Sequence, residues 1–154
     1  MQDDIASLRR ILRQARIIAV VGLSAEWHRL SYFAAKYMQQ QHGYRVIPVN
    51  PRYGQILGER CDARLEDVAE PVDIVDVFRK AADMPPIAAS AVAIGAKCFW
   101  QQLGLKNLQA ERFAAEAGLD TVMDRCLKTE HARLFGGLHW AGVNTGVISV
   151  RRPA

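Results

Sequence analysis

Short runs rich in apolar residues recur along this chain, and they alternate with segments whose apolar residues lie three or four positions apart. The runs predict strands over residues 17–21, 45–49, 73–78, 97–100 and 120–123. Apolar stretches such as 17–21, with no polar alternation, are typical of strands buried on both faces of a parallel sheet.

The segments between these strands have the spacing of amphipathic helices. The predicted helices cover residues 3–14 and 31–41, the stretches from Asp83 to Gly95 and from Asn107 to Gly118, and residues 128–134. Residues 52–70 are predicted to be mostly loop, with a weak edge strand near Cys61 and a helical turn around 65–68. This alternation indicates the α/β class: one doubly wound (Rossmann-type), mostly parallel sheet with right-handed crossovers and helices on both faces.

The ends and buried faces of the helices are predicted from individual side chains. Asp3 or Asp4 is expected to cap the first helix, Ser31 the second, Asp83 the third and Asn107 the fourth, because short polar side chains can accept a bond from a free backbone N–H group. The predicted inward-facing residues are Ile5, Leu8, Ile11 and Leu12 in the first helix and Phe33, Ala34, Tyr37 and Met38 in the second.

The length of the chain, 154 residues, fits one domain. We expect a domain over residues 1–136, followed by a glycine-containing tail over 137–154 that lacks helical periodicity. No apolar run approaches the roughly 20 residues that span a bilayer, and the chain starts with acidic residues, so the sequence predicts a cytoplasmic protein without a membrane partner.

Charge and cysteine content narrow the function classes. The net charge of +4 and the pI near 9.2 suit an anionic partner, but the basic residues are scattered, which disfavours nucleic-acid binding. Cys61, Cys98 and Cys126 include no C-x-x-C pair, so neither a disulfide framework nor a zinc site is indicated.

Ligands of open parallel sheets bind beyond the carboxyl ends of the strands. Gly22 follows the first strand, and it is the only glycine that remains of a G-x-G-x-x-G pattern. Ser24, Arg29 and Ser31 lie between this glycine and the start of the second helix. Because a helix N-terminus and its preceding loop attract anions, these residues are candidates for phosphate binding.

The end of the second strand distinguishes between nucleotides. NAD-binding domains usually carry an acidic residue there, whereas this chain has Asn50, Pro51 and Arg52. An arginine favours a phosphorylated ribose. The sequence therefore disfavours NAD and leaves NADP or the 3′-phospho-ADP portion of coenzyme A (CoA) open.

The remaining strand ends carry further candidates. Gln102 and the Gly104 backbone follow the fourth strand, and Asp124, Arg125 and Cys126 follow the fifth. Trp100 is expected in the core, and Asp76, inside a strand, is expected to be a structural hydrogen-bond partner. The chain has no G-x-S-x-G, Walker or H-E-x-x-H motif, so we assign no catalytic or metal-binding residue.

Several of these segments together resemble the bacterial and archaeal family of small stand-alone CoA-binding proteins. The resemblance covers about residues 5–136, and its domain is similar to the CoA-binding domain of the succinyl-CoA synthetase alpha subunit. The segments that carry it are Gly22–Ser24, Tyr44–Pro51, Val72–Arg79, Trp100–Gly104, Met123–Cys126 and Glu130–His131. The family often has a proline before the helix-starting serine, where this chain has Leu30.

The resemblance implies that CoA lies across the carboxyl ends of the strands. The residues that it places there are, for the phosphates, Gly22, Ser24, Arg29 and Ser31; for the adenosine and 3′-phosphate, Asn50, Pro51 and Arg52; for the middle, Phe78 and Arg79; and for the pantetheine and thiol end, Gln102, Gly104, Asp124, Arg125 and Cys126.

The sequence thus predicts a module that binds CoA or an acyl-CoA without catalysis, in a binding or regulatory role. One alternative is an NADP-dependent oxidoreductase, for which His28, Asp124 and Lys128 are the candidate acids. Another is a nucleic-acid-binding protein, supported only by the pI. The sequence does not identify the acyl group, a protein partner or the oligomeric state. A homo-oligomer is one of the open alternatives.

Overall fold

Helices and strands alternate as the apolar runs predict. The structure, a computed structural model, describes residues 1–26, 29–41, 43–102 and 104–135. The strands are β1 (Ile17–Val21), β2 (Arg45–Val49), β3 (Gln55–Ile56), β4 (Glu59–Arg60), β5 (Ile74–Val77), β6 (Cys98–Gln101) and β7 (Asp120–Val122). The helices are α1 (Ile5–Gln14), α2 (Leu30–Gln40), α3 (Met84–Ala93), α4 (Leu108–Glu116) and α5 (Leu127–Phe135), with 3₁₀ turns at Leu65–Asp67 and Ala81–Asp83.

Five of these strands form one parallel sheet in the order β2-β1-β5-β6-β7. The chain first winds from β1 outward to β2, then crosses back to β5 and continues to β7 on the other side. The strand order therefore reverses between β1 and β5, where loops diverge and open a crevice at the carboxyl edge. β3 and β4 form a separate antiparallel hairpin in the segment predicted as loop. The predicted fold class is confirmed.

Two hydrophobic clusters cover the two faces of the sheet. The first packs α1, α2 and α5 against one face, with Leu8, Leu12 and Met38 fully buried. The second packs α3 and α4 against the other face through small residues such as Ala88 and Ala114. The tail predicted at 137–154 lies outside the described residues. In the part that is described, no helix is long and apolar enough to cross a membrane.

Two residues predicted to face inward are exposed instead. Ile5 is 52% and Phe33 46% accessible to solvent. Ile5 lies in the first turn of α1, one turn before the buried Leu8. The buried stripe of α2 includes Ser31, Ala34 and Met38, and Phe33 lies about 200° around the helix from Ser31, because successive residues are about 100° apart.

The helix caps agree with the sequence at two of four positions. Asp4 accepts from the Ser7 N–H at 2.9 Å and Asn107 from the Ala110 N–H at 2.9 Å, which confirms both caps. Asp83 lies at the start of α3 but does not cap it, since the preceding 3₁₀ turn leaves its backbone already helical, with φ −86° and ψ −8°. The prediction for Ser31 is wrong. α2 begins one residue earlier, Arg29 stands at the N-cap position, and Ser31 lies inside the first turn.

Candidate functional site

Gly22 fixes how the chain leaves β1. Its φ is +86°, and a Cβ atom built on it would lie 2.5 Å from the Phe78 carbonyl oxygen and 2.9 Å from the Arg79 Cδ. Its N–H donates to the Val49 carbonyl at 2.9 Å. The backbone after β1 therefore runs in close contact with the ends of both β2 and β5, and only glycine fits there.

Hydroxyl groups hold the loop that follows. The Ser24 N–H donates to the Ser31 Oγ at 3.1 Å, and the Ser24 Oγ in turn accepts from the Glu26 N–H at 3.0 Å. This explains why Ser31 is buried inside α2 rather than capping it. Arg29 stands at the mouth of the loop with 60% of its side chain exposed, and its Nε lies 3.8 Å from a Glu26 carboxylate oxygen. Trp27 and His28 lie outside the described residues.

Asn50 connects the first loop to the end of β2. Its buried amide donates to the Leu23 carbonyl at 3.0 Å, and its Oδ1 accepts from the Arg52 N–H at 2.9 Å. Both ends of this side chain are therefore used to shape the site. The Arg52 side chain is exposed and makes no ion pair with any described residue, so a cation stands free where NAD-binding domains carry a carboxylate.

Two adjoining cavities open at this edge of the sheet. The first, which we call the α2 cavity, has a volume of about 480 Å³ and lies beside the first turn of α2. It is lined by eight of the predicted site residues: Gly22, Ser24, Arg29, Ser31, Asn50, Arg52, Phe78 and Arg79. The second, the α3 cavity, measures about 500 Å³ and lies between the Leu65–Asp67 turn and α3. Gly22, Asn50 and Arg79 border both cavities.

The sequence interpretation missed most of the α3 cavity. Of the predicted site residues outside that shared border, only Pro51 lines it. The missed residues come from the segment after β2 and from the first turns of α3: Arg64, Leu65, Glu66, Pro86, Ile87 and Ser90. The residues of α3 follow β5, so the rule that ligands bind beyond the carboxyl ends of strands could have found them if it had been extended past the first few loop residues. Arg64, Leu65 and Glu66 come after the β3–β4 hairpin, and that rule does not point to them.

The residues predicted after β6 and β7 form a second group, which lines neither cavity. The Gln102 amide is buried and donates to a carboxylate oxygen of Asp76, while its Oε1 accepts from the Leu127 N–H at 3.4 Å. The Gly104 N–H donates to Asp124 Oδ1 at 2.6 Å, and Asp124 itself has a left-handed φ of 62°. These polar groups, expected to bind a ligand, are already hydrogen-bonded within the protein.

Arg125 and Cys126 complete this second group. The Arg125 guanidinium pairs with Asp3 and lies 3.4 Å from the Glu130 carboxylate, so its charge is shared between two acids. Cys126 is half-buried, and it is the least buried of the three cysteines, all of which are free. Burial raises the pKa of the Cys61 and Cys98 thiols. Cys126 is therefore the thiol most accessible to a bound molecule.

The expectations for Trp100 and Asp76 are confirmed. Trp100 is fully buried, and its indole N–H donates to the Arg125 carbonyl at 2.9 Å. Asp76 is a buried partner of Gln102, and burial raises its pKa to about 7, although the hydrogen bond from Gln102 acts in the opposite direction. The buried His131 contacts the Tyr37 hydroxyl at 3.0 Å, and burial lowers the pKa of its imidazole.

The exposed cations at this edge of the sheet suit an anionic ligand. Arg29 and Arg52 are exposed cations at the α2 cavity, which also includes the first turn of α2. The α3 cavity adds apolar walls from Val21, Val49 and Ile87. Within the described ranges, no group of three or more His, Cys, Asp or Glu side chains is arranged to hold a metal ion.

Comparison with known proteins identifies a family. A family described as "CoA binding domain" matches residues 16–132, a range that includes every predicted site residue from Gly22 to Cys126. The chain is 39% identical over 127 residues to the uncharacterized protein YneT of Bacillus subtilis, an alignment that covers 82% of this chain and 93% of YneT.

Solved structures of similar proteins share the fold. A Thermus thermophilus protein described as cell-free ID.343 is 40% identical, with a TM-score of 0.82 over 86% of this chain and 100% of that one. A hypothetical protein of Pyrococcus horikoshii OT3 is 35% identical, with a TM-score of 0.83 over 88% of this chain and 100% of that one.

Proposed function

Because this chain belongs to the CoA-binding domain family, we propose that it binds coenzyme A or an acyl-CoA across the carboxyl ends of β1, β2 and β5. We further propose that it does so without catalysis, as a binding or regulatory module. The observation that carries the proposal is the pair of adjoining cavities, which meet over Gly22 and Asn50 and have the free cation of Arg52 at one margin.

The proposed ligand matches the two cavities part by part. We place the diphosphate in the α2 cavity near Ser24 and Arg29, beside the first turn of α2, because anions are stabilised at helix N-termini. We place the 3′-phosphate at Arg52, which has no competing ion pair within the described ranges. The apolar walls of the α3 cavity then accommodate the adenine ring.

The pantetheine arm would leave the α2 cavity toward the second group of residues, around Gln102 and Cys126. The polar groups of Gln102, Gly104 and Arg125 already have partners in the free protein. We therefore propose that they form a fixed wall along which the arm lies. The half-buried Cys126 is the proposed neighbour of the thiol end.

The proposal of a non-catalytic role follows from the burial and contacts of the candidate acids and bases. A general acid or base must reach the substrate within hydrogen-bond distance. Asp76, however, is buried and bonded to Gln102, and His131 of α5 packs against the rings of Tyr37 and Tyr44. The alternative of an NADP-dependent oxidoreductase retains one supporting observation, since Arg52 would also attract the 2′-phosphate of NADP.

Thermal unfolding with several ligands tests the proposal. At about 100 times its dissociation constant, a ligand stabilises a protein by roughly 2.7 kcal/mol. For a chain of this size we expect CoA to raise the Tm by about 5–11 °C. NAD should give little change, because its unphosphorylated ribose leaves Arg52 unpaired. NADP and a DNA duplex at two salt concentrations test the alternatives, and a shift with either NAD or NADP that equals the CoA shift would contradict the ligand assignment.

Arg52→Ala is expected to weaken CoA binding by about 1–3 kcal/mol, the usual range for a lost charge-assisted hydrogen bond. Dephospho-CoA, which lacks the 3′-phosphate, should bind the wild type and the variant about equally. Isothermal titration of both ligands to both proteins measures the coupling between Arg52 and the phosphate directly.

Arg60→Ala serves as the matched control for this experiment. Arg60 is an exposed arginine on β4 that lies 3.2 Å from Asp62 and lines neither cavity. Its removal lowers the net charge equally and should leave the difference between CoA and dephospho-CoA unchanged. If Arg52→Ala still distinguishes the two ligands as strongly as the wild type does, Arg52 does not bind the 3′-phosphate.

A further inference from the structure

The α3 cavity combines apolar walls with several polar side chains, one of which is Glu66. Val21 and Val49, at the ends of β1 and β2, and Pro86 and Ile87 of α3 contribute apolar surface to its lining. Glu66 enters the lining from the 3₁₀ turn between β4 and β5. Apolar walls with a small number of oriented polar groups are typical of sites that bind a small molecule and fix its orientation.

The position of the Glu66 side chain is fixed by its backbone turn and by a hydrogen bond to its carboxylate. Leu65, its neighbour in the turn, is 4% exposed and anchors the turn in the core. The Ser90 hydroxyl of α3 donates to Glu66 Oε2 at 2.5 Å. The carboxylate also accepts from its own backbone N–H, and the side chain as a whole is exposed at the cavity. Because an ionised carboxylate has about four acceptor positions, Glu66 can still accept a hydrogen bond from a ligand in the cavity.

The charge state of this group is also defined. The hydrogen bond from Ser90 lowers the pKa of the Glu66 carboxyl, so the group is ionised at neutral pH and can only accept. The other charged side chains at this cavity are paired, Asp83 with Arg79 at 3.2 Å and Arg64 with Asp67 at 3.1 Å. Glu66 is the charged group of the described lining that is left without an ion-pair partner.

We propose that Glu66 selects the base of the bound nucleotide by accepting a hydrogen bond from an exocyclic amino group, and so prefers a 6-amino purine to a 6-oxo purine. The inference rests on the proposed function, since it requires that the nucleotide part of CoA enter the α3 cavity. The proposed phosphate contacts do not distinguish one base from another. Glu66 would add that selectivity.

The expected preference follows from hydrogen-bond chemistry. An amino group at position 6 donates to a carboxylate, whereas the carbonyl of a 6-oxo purine places a second acceptor at that position, so the same hydrogen bond cannot form there. A charge-assisted hydrogen bond contributes about 1.5–3 kcal/mol, and 1.4 kcal/mol corresponds to a factor of ten. The preference is therefore expected to be about tenfold to a hundredfold.

Binding of two nucleotides that differ in the group at position 6, and with it in the proton on N1, tests the inference. Adenosine 3′,5′-bisphosphate and inosine 3′,5′-bisphosphate are titrated into the full chain, with CoA as the reference ligand. The wild type should bind the adenosine compound at least about tenfold more tightly. In Glu66→Gln the side-chain amide can donate to a carbonyl as well as accept from an amino group, so the ratio of the two affinities should approach one.

The ratio of affinities is the readout, because removing any acidic residue strengthens the binding of every anion. Glu116→Gln, an exposed position on α4 that lines neither cavity, controls for that general effect and should keep the wild-type ratio. A wild type that binds both nucleotides equally, or a Glu66→Gln variant that keeps the full preference, would overturn the inference while CoA binding stands. A wild type that binds neither nucleotide nor CoA would refute the proposed function itself.

Discussion

Gly22→Ala is expected to weaken CoA binding at least a hundredfold and to lower the Tm by about 4–10 °C. The new Cβ would lie 2.5 Å from the Phe78 carbonyl oxygen and 3.1 Å from its carbon, which is backbone that cannot rotate away. A left-handed backbone costs a further 1–2 kcal/mol or so in any residue with a Cβ. Since Gly22 borders both cavities, the displaced chain would disturb the whole proposed ligand site.

Gly43→Ala is the matched control for Gly22→Ala, because it introduces the backbone strain of a positive φ without the steric clash. Gly43 has a similar φ of +91°, but nothing lies within 4 Å of a Cβ built on it. This variant should lose a few degrees of Tm from strain alone and keep its CoA affinity within about twofold. Isothermal titration and thermal unfolding of the two variants make the comparison. If both bind CoA equally well, the close approach at Gly22 does not shape the site.

The sheet could be predicted because each strand is marked by the apolar residues of that strand alone. Runs such as 17–21 and 73–78 are apolar on both faces, and the helices between them have regular periodicity. The hairpin of β3 and β4 was not predicted in full, because each of its strands has only two residues and shows no pattern.

The site residues that could be predicted are those that directly follow a strand in the sequence. The rule that ligands bind at the carboxyl ends of strands identified Gly22 and Arg52, which line the α2 cavity. The pairing of side chains was not predictable. Arg125 pairs with Asp3, a residue 122 positions earlier, and Gln102 pairs with Asp76 across the sheet. Such contacts depend on the complete fold, and they decide which polar groups remain free for a ligand.

Asp76 shows what it costs to bury one partner of such a contact. It lies on β5, fully buried, with a hydrogen bond from Gln102, and burial raises its pKa to about 7 from an ordinary value of 3.8. A carboxyl whose pKa is higher in the folded state favours folding at low pH, and this stabilisation is lost as the pH rises from the unfolded value through the folded one. Above pH 7 the folded protein therefore contains a buried charge that water would stabilise better.

Asp76→Asn is expected to stabilise the protein more at alkaline than at acidic pH. Asparagine keeps an oxygen that accepts from Gln102 but carries no charge. Between pH 5 and pH 8.5 the wild type should lose roughly 3 kcal/mol relative to the variant, from about two pH units at 1.36 kcal/mol each. The difference between their Tm values should therefore grow by about 6–12 °C over that range. Thermal unfolding of both proteins in matched buffers measures this difference.

Asp73→Asn is the matched control, because Asp73 directly precedes β5, three residues before Asp76, and its pKa is shifted in the opposite direction. Burial alone would raise its pKa, but the N–H groups of Ile17 and Arg16, at 2.9 and 2.8 Å, and the ammonium of Lys97 outweigh burial and lower it. A carboxyl with a lowered folded pKa stabilises the protein above its unfolded pKa and loses that effect as the pH falls. Asp73→Asn should thus lower the Tm at pH 7, and its deficit should shrink toward pH 3. If Asp76→Asn shows no change with pH, or behaves as Asp73→Asn does, the Asp76 carboxyl is not held neutral by burial.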